Sequence, residues 1–388
     1  MIRPLRVGIV GCGNVALNFH VPAYHAAPEH FLVTALADPT PERLELGRNT
    51  AGLREDQVHA DAAALIARDD VDVVDVCTPQ HLHREVVEAA AAAGKHILCE
   101  KPLAAKPVDA SAIVAAADQA GVTLGVMHNY LFFPEIVTAR KIIDSGEIGE
   151  VRTVAVDQLG VVDSPGATGY RPLWRHDYGA AGGGVLMDMV HGVYLAEHLL
   201  GEPVDRVSAY VDAATAGDPV DGLALCRLES AHRAAVVNIG WGLGNGGIRI
   251  SGTKGRIVIR YRDDGTPPWA PFASMTLTTE ANTEQVDLPP GEELAPLIAQ
   301  AMRDTVIDFA DAVRGGRPPA ASGAAALRTL EIAIAAYGSA AVGTTVALPL
   351  PTDGPLHQHG VVGLAELDVP ADSSVRQRGL FGLTPVGS

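Results

Sequence analysis

Short apolar runs recur through the first third of the chain: LRVGIVG, FLVTALAD, VDVVDVCTP, KHILCEKP and VTLGVMHN, with amphipathic or alanine-rich segments between them. Each run is nearly continuous in Val, Ile, Leu and Ala and does not alternate with polar residues. A strand of that kind has no wet face, so it belongs in a parallel sheet covered by helices on both sides. Residues 1–126 are therefore expected to form a doubly wound α/β domain.

From about residue 150 the texture changes. VRTVAVDQL, RVSAYVDAA, LALCRLES, RAAVVNIG and GRIVIRYR alternate with period two, the pattern of a mainly antiparallel sheet with one face buried. The helical stretches LAPLIAQAMRDTVIDFADAVRGG and ASGAAALRTLEIAIAAYGSA follow. Residues 127–350 are expected to form a substrate-binding and oligomerisation α+β domain. Residues 351–388 show no sustained period and are expected to be a C-terminal extension, an arm or a flexible tail.

Composition narrows the partners. Apolar residues are 47% and charged residues 19% of the chain, as in a well-packed globular protein. The formal net charge of -17 would repel phosphate, which argues against nucleic acid or an anionic membrane and for a small, mostly uncharged ligand. The most apolar stretch, AIAAYGSAAVGTTVAL, is broken by Gly, Ser and Thr, and MIRPLRVGIVG leads straight into a strand without the features of a secretory signal. A cytoplasmic location is expected. Cys12, Cys77, Cys99 and Cys226 are scattered with no CxxC pair, so neither a metal site nor a disulfide framework is indicated.

GCGNVA, Gly11 to Ala16, follows the first strand and opens a helix. In G-x-G-x-x-G/A the first glycine permits a tight turn, the second lets backbone approach a pyrophosphate, and the small third residue allows close helix packing. The helix N-terminus offers free N–H groups to phosphate. The second strand ends in Asp38, at the spacing of an acid that accepts ribose hydroxyls and repels a 2′-phosphate. NAD is thus favoured over NADP. Asp38 also fits a helix N-cap before PTPERLE, and Arg43 is placed to meet a 2′-phosphate, which keeps NADP open.

Read together, GCGNVA and VCTPQHLHREVVEAAAAAGKHILCEKPLA strongly resemble the Gfo/Idh/MocA oxidoreductase family of sugar and cyclitol dehydrogenases. GEIGEV, WRHDYGAAGGGVLMDMVH and GTTVALP continue the likeness, which spans residues 5–350. It implies a Rossmann domain followed by an open-faced sheet domain, with the active site between them. It also implies that Gly11, Gly13, Asn14 and Val15 line the pyrophosphate, with Asp38 on the ribose, Thr78 and Pro79 along the cofactor, and Glu100 near the nicotinamide ribose. Gln80 stands where the family usually has Asn; it keeps the amide but lengthens it. His83 matches a family histidine, and as a residue of the first turn of an alanine-rich helix it fits packing or capping as well as cofactor contact.

Oxidising a secondary alcohol sends a hydride to nicotinamide and the hydroxyl proton to a base. Lys101 lies at the carboxyl end of a parallel strand, the ligand side of such sheets, and its charge suits a developing alkoxide. Pro102 restricts Lys101 to extended backbone. GGGVLMDMVH brings Asp188 and His191 onto a helix at i and i+3, one face, where a carboxylate can orient the imidazole or share the substrate with it. The family more commonly spaces the pair by four, so His191 is the firmer catalytic candidate. Asn129, Tyr130, Arg171, Trp174 and Arg175 are substrate-side candidates; Tyr130 stands where the family often has Arg, which suits a neutral polyol better than a sugar acid. Other readings are an NAD-dependent glycosidase with transient sugar oxidation and a non-catalytic sugar or nucleotide sensor. An open sheet face rich in Val and Ala points to a homodimer or homotetramer.

Overall fold

The computed structural model describes residues 3–161, 173–213, 215, 217–244, 246–261, 272–288 and 294–384. The first sheet is built from β1 (Leu5–Val10), β2 (Phe31–Ala37), β3 (Val58–His59), β4 (Val73–Val76), β5 (His96–Cys99) and β6 (Leu124–Val126). Its strands are parallel and their order is β3-β2-β1-β4-β5-β6. Val7 sits beside Val33 on one side and Val73 on the other, all buried, which is why these strands read as unbroken apolar runs. Growth of the sheet reverses between β1 and β4, and ligands bind at such a crevice outside the strand carboxyl ends.

Helical turns run from Asn14 through a π-turn, Ala16–His20, into α1 (Val21–His25). They are followed by α2 (Pro41–Ala51), α3 (Ala62–Ile66), α4 (His83–Ala92), α5 (Pro107–Ala120) and α6 (Pro134–Ser145). α2, α5 and α6 each start on proline, whose missing N–H would have had no partner there, and each stops at a glycine.

The second sheet holds β7 (Val151–Val161), β8 (Arg206–Ala213), β9 (Asp221–Glu229), β10 (Ala234–Trp241), β11 (Gly247–Gly252), β12 (Gly255–Tyr261), β13 (Phe272–Thr279), β14 (Thr283–Gln285) and β15 (Val346–Ala347). The order is β14-β13-β12-β11-β7-β10-β9-β8-β15, antiparallel except where β7 pairs parallel with β10. Val154, Val156, Val237, Ile248, Ile250, Ile257 and Ile259 face the core, whereas Tyr210, Leu225 and Val236 are exposed. The core face is covered by helices that include α9 (His191–Leu200), which follows the short α7 (Tyr178–Ala181) and α8 (Val185–Asp188).

Two features depart from a simple division at residue 126. α10 (Leu294–Gly315) returns to the first sheet, where Met302, Val306, Phe309 and Ala310 complete its core. A methyl at Gly125 would lie 2.7 Å from the Phe309 ring, so the strand is bare where the helix crosses. α11 (Gly323–Val342) is long and apolar enough to cross a membrane by length and composition, yet most of it is buried against β8 and α5.

The segment after 350, expected as an arm or flexible tail, is folded onto its own chain through residue 384. α12 (Pro355–His359), a 3-10 turn at Gly360–Glu366, α13 (Ser374–Gln377) and a 3-10 turn at Leu380–Gly382 bury Leu356, Val361, Leu364, Val369, Val375, Leu380 and Phe381. Leu356 packs on α11 at Gly338, and Arg378 pairs with Asp212 of β8 at 3.1 Å. Turns this short never repeat a face, so their apolar residues show no period to detect.

Candidate active site

Gly11 leaves β1 with φ of 97°, and a Cβ there would lie 2.6 Å from the Cys77 carbonyl oxygen. Glycine is required because the exits of β1 and β4 nearly touch. Gly13 differs: a Cβ would meet nothing within 4 Å, so packing of the chain itself does not demand glycine, and the open side suits a close ligand. Ala16 is fully buried behind the turn. Asp38 accepts the Cys12 N–H at 2.7 Å through one oxygen and the Thr40 N–H at 2.8 Å through the other. It therefore braces the glycine loop, while Thr40, not Asp38, is the N-cap residue of α2. Arg43 donates from Nε to the Cys12 carbonyl at 2.8 Å.

At the end of β4 the Thr78 Oγ1 and Gln80 Oε1 atoms are buried without a hydrogen-bond partner. Buried polar atoms seldom stay unpaired, so two orphans beside an open glycine loop fit a dinucleotide lying along this edge. His83 is engaged otherwise. Its ring nitrogens face the Thr78 carbonyl at 2.8 Å and the Leu103 carbonyl at 3.1 Å, and burial lowers its pKa. The ring thus lies between the two loops that carry Thr78 and Leu103.

Glu100 and Lys101 follow β5. Glu100 is buried, and one oxygen accepts the Lys101 backbone N–H at 2.9 Å. The Lys101–Pro102 peptide is cis. The Lys101 ammonium, half-buried, donates to the Asp188 carbonyl oxygen at 2.7 Å, reaching from the first sheet's edge to the helices beyond it.

Asp188 and His191 do not share one helix, contrary to the expectation. α8 ends at Asp188, Met189 leaves helical geometry at φ -106° and ψ 36°, and α9 begins at His191. The Asp188 carboxylate accepts from Arg175 at 2.5 Å. Orientation of the imidazole falls to Tyr194, whose hydroxyl lies 2.6 Å from His191 Nδ1 and also accepts the Tyr130 N–H at 3.1 Å. The Tyr130 ring stacks on His191 at 4.0 Å, and His128 stacks on Tyr194 at 4.0 Å. Burial, reinforced by the Lys101 charge, holds His191 well below its ordinary pKa, so the ring is neutral near pH 7. Burial pushes His128 down to about 3. Asn129 and Tyr130 are buried in the 3-10 turn Asn129–Phe132, and Trp174 and Arg175 are half-buried in the turn Leu173–His176. Arg171 lies outside the described residues.

Several groups at the site were not anticipated. Asp221, fully buried on β9, accepts the Gly184 N–H at 2.7 Å, the Leu186 N–H at 3.0 Å and the Tyr337 hydroxyl at 2.9 Å, tying down the glycine turn ahead of α8. Burial raises its carboxyl pKa to about 6. Gln158 of β7 is buried with neither amide atom hydrogen-bonded, and it packs close to Gly192, next to His191. Asp75 is a buried carboxylate in the middle of β4. An aspartate inside VDVVDV was the available signal for it.

Residues 5–128 match the oxidoreductase family described as Gfo/Idh/MocA with an NAD-binding Rossmann fold, and residues 136–258 match the Gfo/Idh/MocA C-terminal domain. The chain belongs to the Gfo/Idh/MocA family. It is an oxidoreductase with NAD as cofactor. Among its Gfo/Idh/MocA relatives, dTDP-3,4-didehydro-2,6-dideoxy-alpha-D-glucose 3-reductase of Streptomyces violaceoruber is 29% identical over 81% of this chain and 86% of its own. Levoglucosan dehydrogenase of Pseudarthrobacter phenanthrenivorans is 33% identical over 52% of each chain. A solved structure of levoglucosan dehydrogenase in complex with NADH and levoglucosan superposes with a TM-score of 0.77 at 25% identity, covering 90% of this chain and 100% of that one.

Proposed function

We propose that this oxidoreductase transfers a hydride between NAD and a secondary hydroxyl or keto group of a sugar, glycoside or cyclitol. The observation that carries the reading is the meeting of Lys101 with the Asp188 carbonyl at 2.7 Å, three residues before a buried neutral histidine. NAD, when bound, supplies a nicotinamide ring that takes up or releases the hydride. Gly11, Gly13, Asn14 and Val15 hold its pyrophosphate, Asp38 its ribose, and Thr78, Pro79, Gln80 and Glu100 the remainder.

Lys101 polarises the substrate oxygen and stabilises the alkoxide character that develops on it. His191 exchanges the hydroxyl proton at Nε2 while the Tyr194 hydroxyl steadies Nδ1. A neutral ring is the form able to take a proton, which supports this division of labour. Asp188 and Arg175, held together, receive neighbouring hydroxyls, with Asn129, Tyr130 and Trp174 shaping the rest of the pocket.

The reading extends to a cytoplasmic homodimer or homotetramer joined through the open sheet face, supported by exposed Tyr210, Leu225 and Val236 and by four free cysteines. Incubating the protein with NAD and a panel of sugars, glycosides and inositols tests the activity. Accumulation of free NADH with one of them supports a dehydrogenase. Release of an aglycone with no net NADH would identify the glycosidase reading, and ligand binding without either would identify a sensor.

A further inference from the structure

The helix behind the glycine loop carries an irregularity with a chemical result. Pro22 has no N–H for the helical ladder and its ring crowds the carbonyl four residues earlier, and the turn just ahead, Ala16–His20, widens into a π-turn. His20 closes that turn and is 0% exposed. Its Nδ1 is 2.8 Å from Asp75 Oδ2 on β4, and its Nε2 is 2.8 Å from Glu100 Oε1 at the end of β5.

The remaining titratable neighbours are few. Tyr24 of α1 donates its hydroxyl to the same Asp75 oxygen at 3.0 Å. Cys77 Sγ lies 3.5 Å from His20 Nδ1 and 3.7 Å from Asp75 Oδ1. On the far side, Lys101, His83 and His128 feel the Glu100 charge.

Proton accounting decides the state of the ring. A neutral imidazole offers one N–H and one lone pair, so between two carboxylate oxygens it would press a lone pair against one of them. Both contacts are donated only if the ring is doubly protonated. Each carboxylate already accepts a further donor, Tyr24 on Asp75 and the Lys101 amide on Glu100, as an ionised group does. Burial alone would strip the proton, but Asp75 with Cys77 holds His20 well above its ordinary pKa, and His20 in turn holds buried Glu100 below its own.

We propose that His20 is a positioning residue for Lys101: an imidazolium, locked by Asp75, that clamps the Glu100 carboxylate against the Lys101 backbone amide and keeps it off the Lys101 ammonium. The proposal rests on the role given above to Lys101 and deepens it. With Glu100 so held, the two adjacent charged side chains form no ion pair, and the ammonium is left to the Asp188 carbonyl across the cleft. Released, Glu100 would pair with its neighbour and withdraw it.

The test has two independent arms. His20→Gln puts an amide N–H in place of the imidazolium but loses the charge; turnover should fall about 100-fold, as a misplaced catalytic group does. Adding His20→Gln to Glu100→Gln should cost no more than about twofold, the margin of additivity, because the first change acts through Glu100. Losses that multiply in the double variant would assign His20 a general structural role and overturn the proposal. The second arm needs no variant to fold: nitrogen NMR of histidine-labelled wild-type protein at pH 8.5 should find one buried ring protonated on both nitrogens, and only neutral rings would overturn the clamp. If Lys101→Ala is fully active while that ring is doubly protonated, the reading of the site fails and the charge state of His20 stands.

Discussion

Asp221→Asn probes how the glycine turn beneath His191 is held. The carboxylate accepts two backbone N–H groups and the Tyr337 hydroxyl in a fully buried position, and burial raises its pKa from 3.8 to about 6. Below pH 3.8 the group is protonated folded or unfolded and contributes no pH dependence. Between 3.8 and about 6 the unfolded chain releases a proton that the folded protein retains, so raising pH favours unfolding. At roughly 1.4 kcal/mol per pKa unit, wild type should lose about 3 kcal/mol relative to Asp221→Asn between pH 4 and pH 7. Asparagine carries no such penalty, but it strands at least one donor at about 1–3 kcal/mol. Wild type should therefore be the more stable at pH 4, and the two proteins should converge or cross by pH 7. Urea titrations at half-unit steps read this directly. A stability difference that stays flat across the window would refute the argument that burial dominates the environment of this carboxylate.

Tyr194→Phe removes the hydroxyl that faces His191 Nδ1, and turnover should fall by about 10- to 100-fold, the worth of one buried hydrogen bond, with little change in NADH affinity. Thr78→Val replaces a buried hydroxyl that has no partner in the chain, so thermal stability should hold or rise while NADH binding weakens by about tenfold in fluorescence titration. Phe381→Ala cuts a ring that packs against Tyr178 and Tyr337, and calorimetry should register a loss of about 3–5 kcal/mol, where an unstructured tail would register none.

Legibility in the sequence followed the separation of interacting residues. The glycine turn and the Glu100–Lys101 backbone contact lie within a few residues of sequence, and a parallel sheet announces its strands as apolar runs. His20 was not readable, since its partners Asp75 and Glu100 lie 55 and 80 residues away and only the sheet order brings them together. The shared helical face expected of Asp188 and His191 is absent for a local reason. The interruption at Met189 breaks the helical phase on which an i, i+3 argument depends, and Tyr194, one turn into α9, takes the partner role instead. Asp221 holds the glycine turn from 37 residues downstream, which no spacing rule anticipates. Past residue 350 the apolar side chains pack through turns too short to repeat, so composition alone resembled a tail.

The pairing of Lys101 with His191 as the groups acting on the substrate oxygen is tested most directly by single-turnover formation of NADH in wild type, Lys101→Ala and His191→Ala with a sugar or cyclitol that the wild type oxidises. Each variant should bind NADH as wild type does and lose about 10²- to 10⁴-fold in rate, as expected for a removed general acid or base. Full turnover by either variant would contradict the assignment.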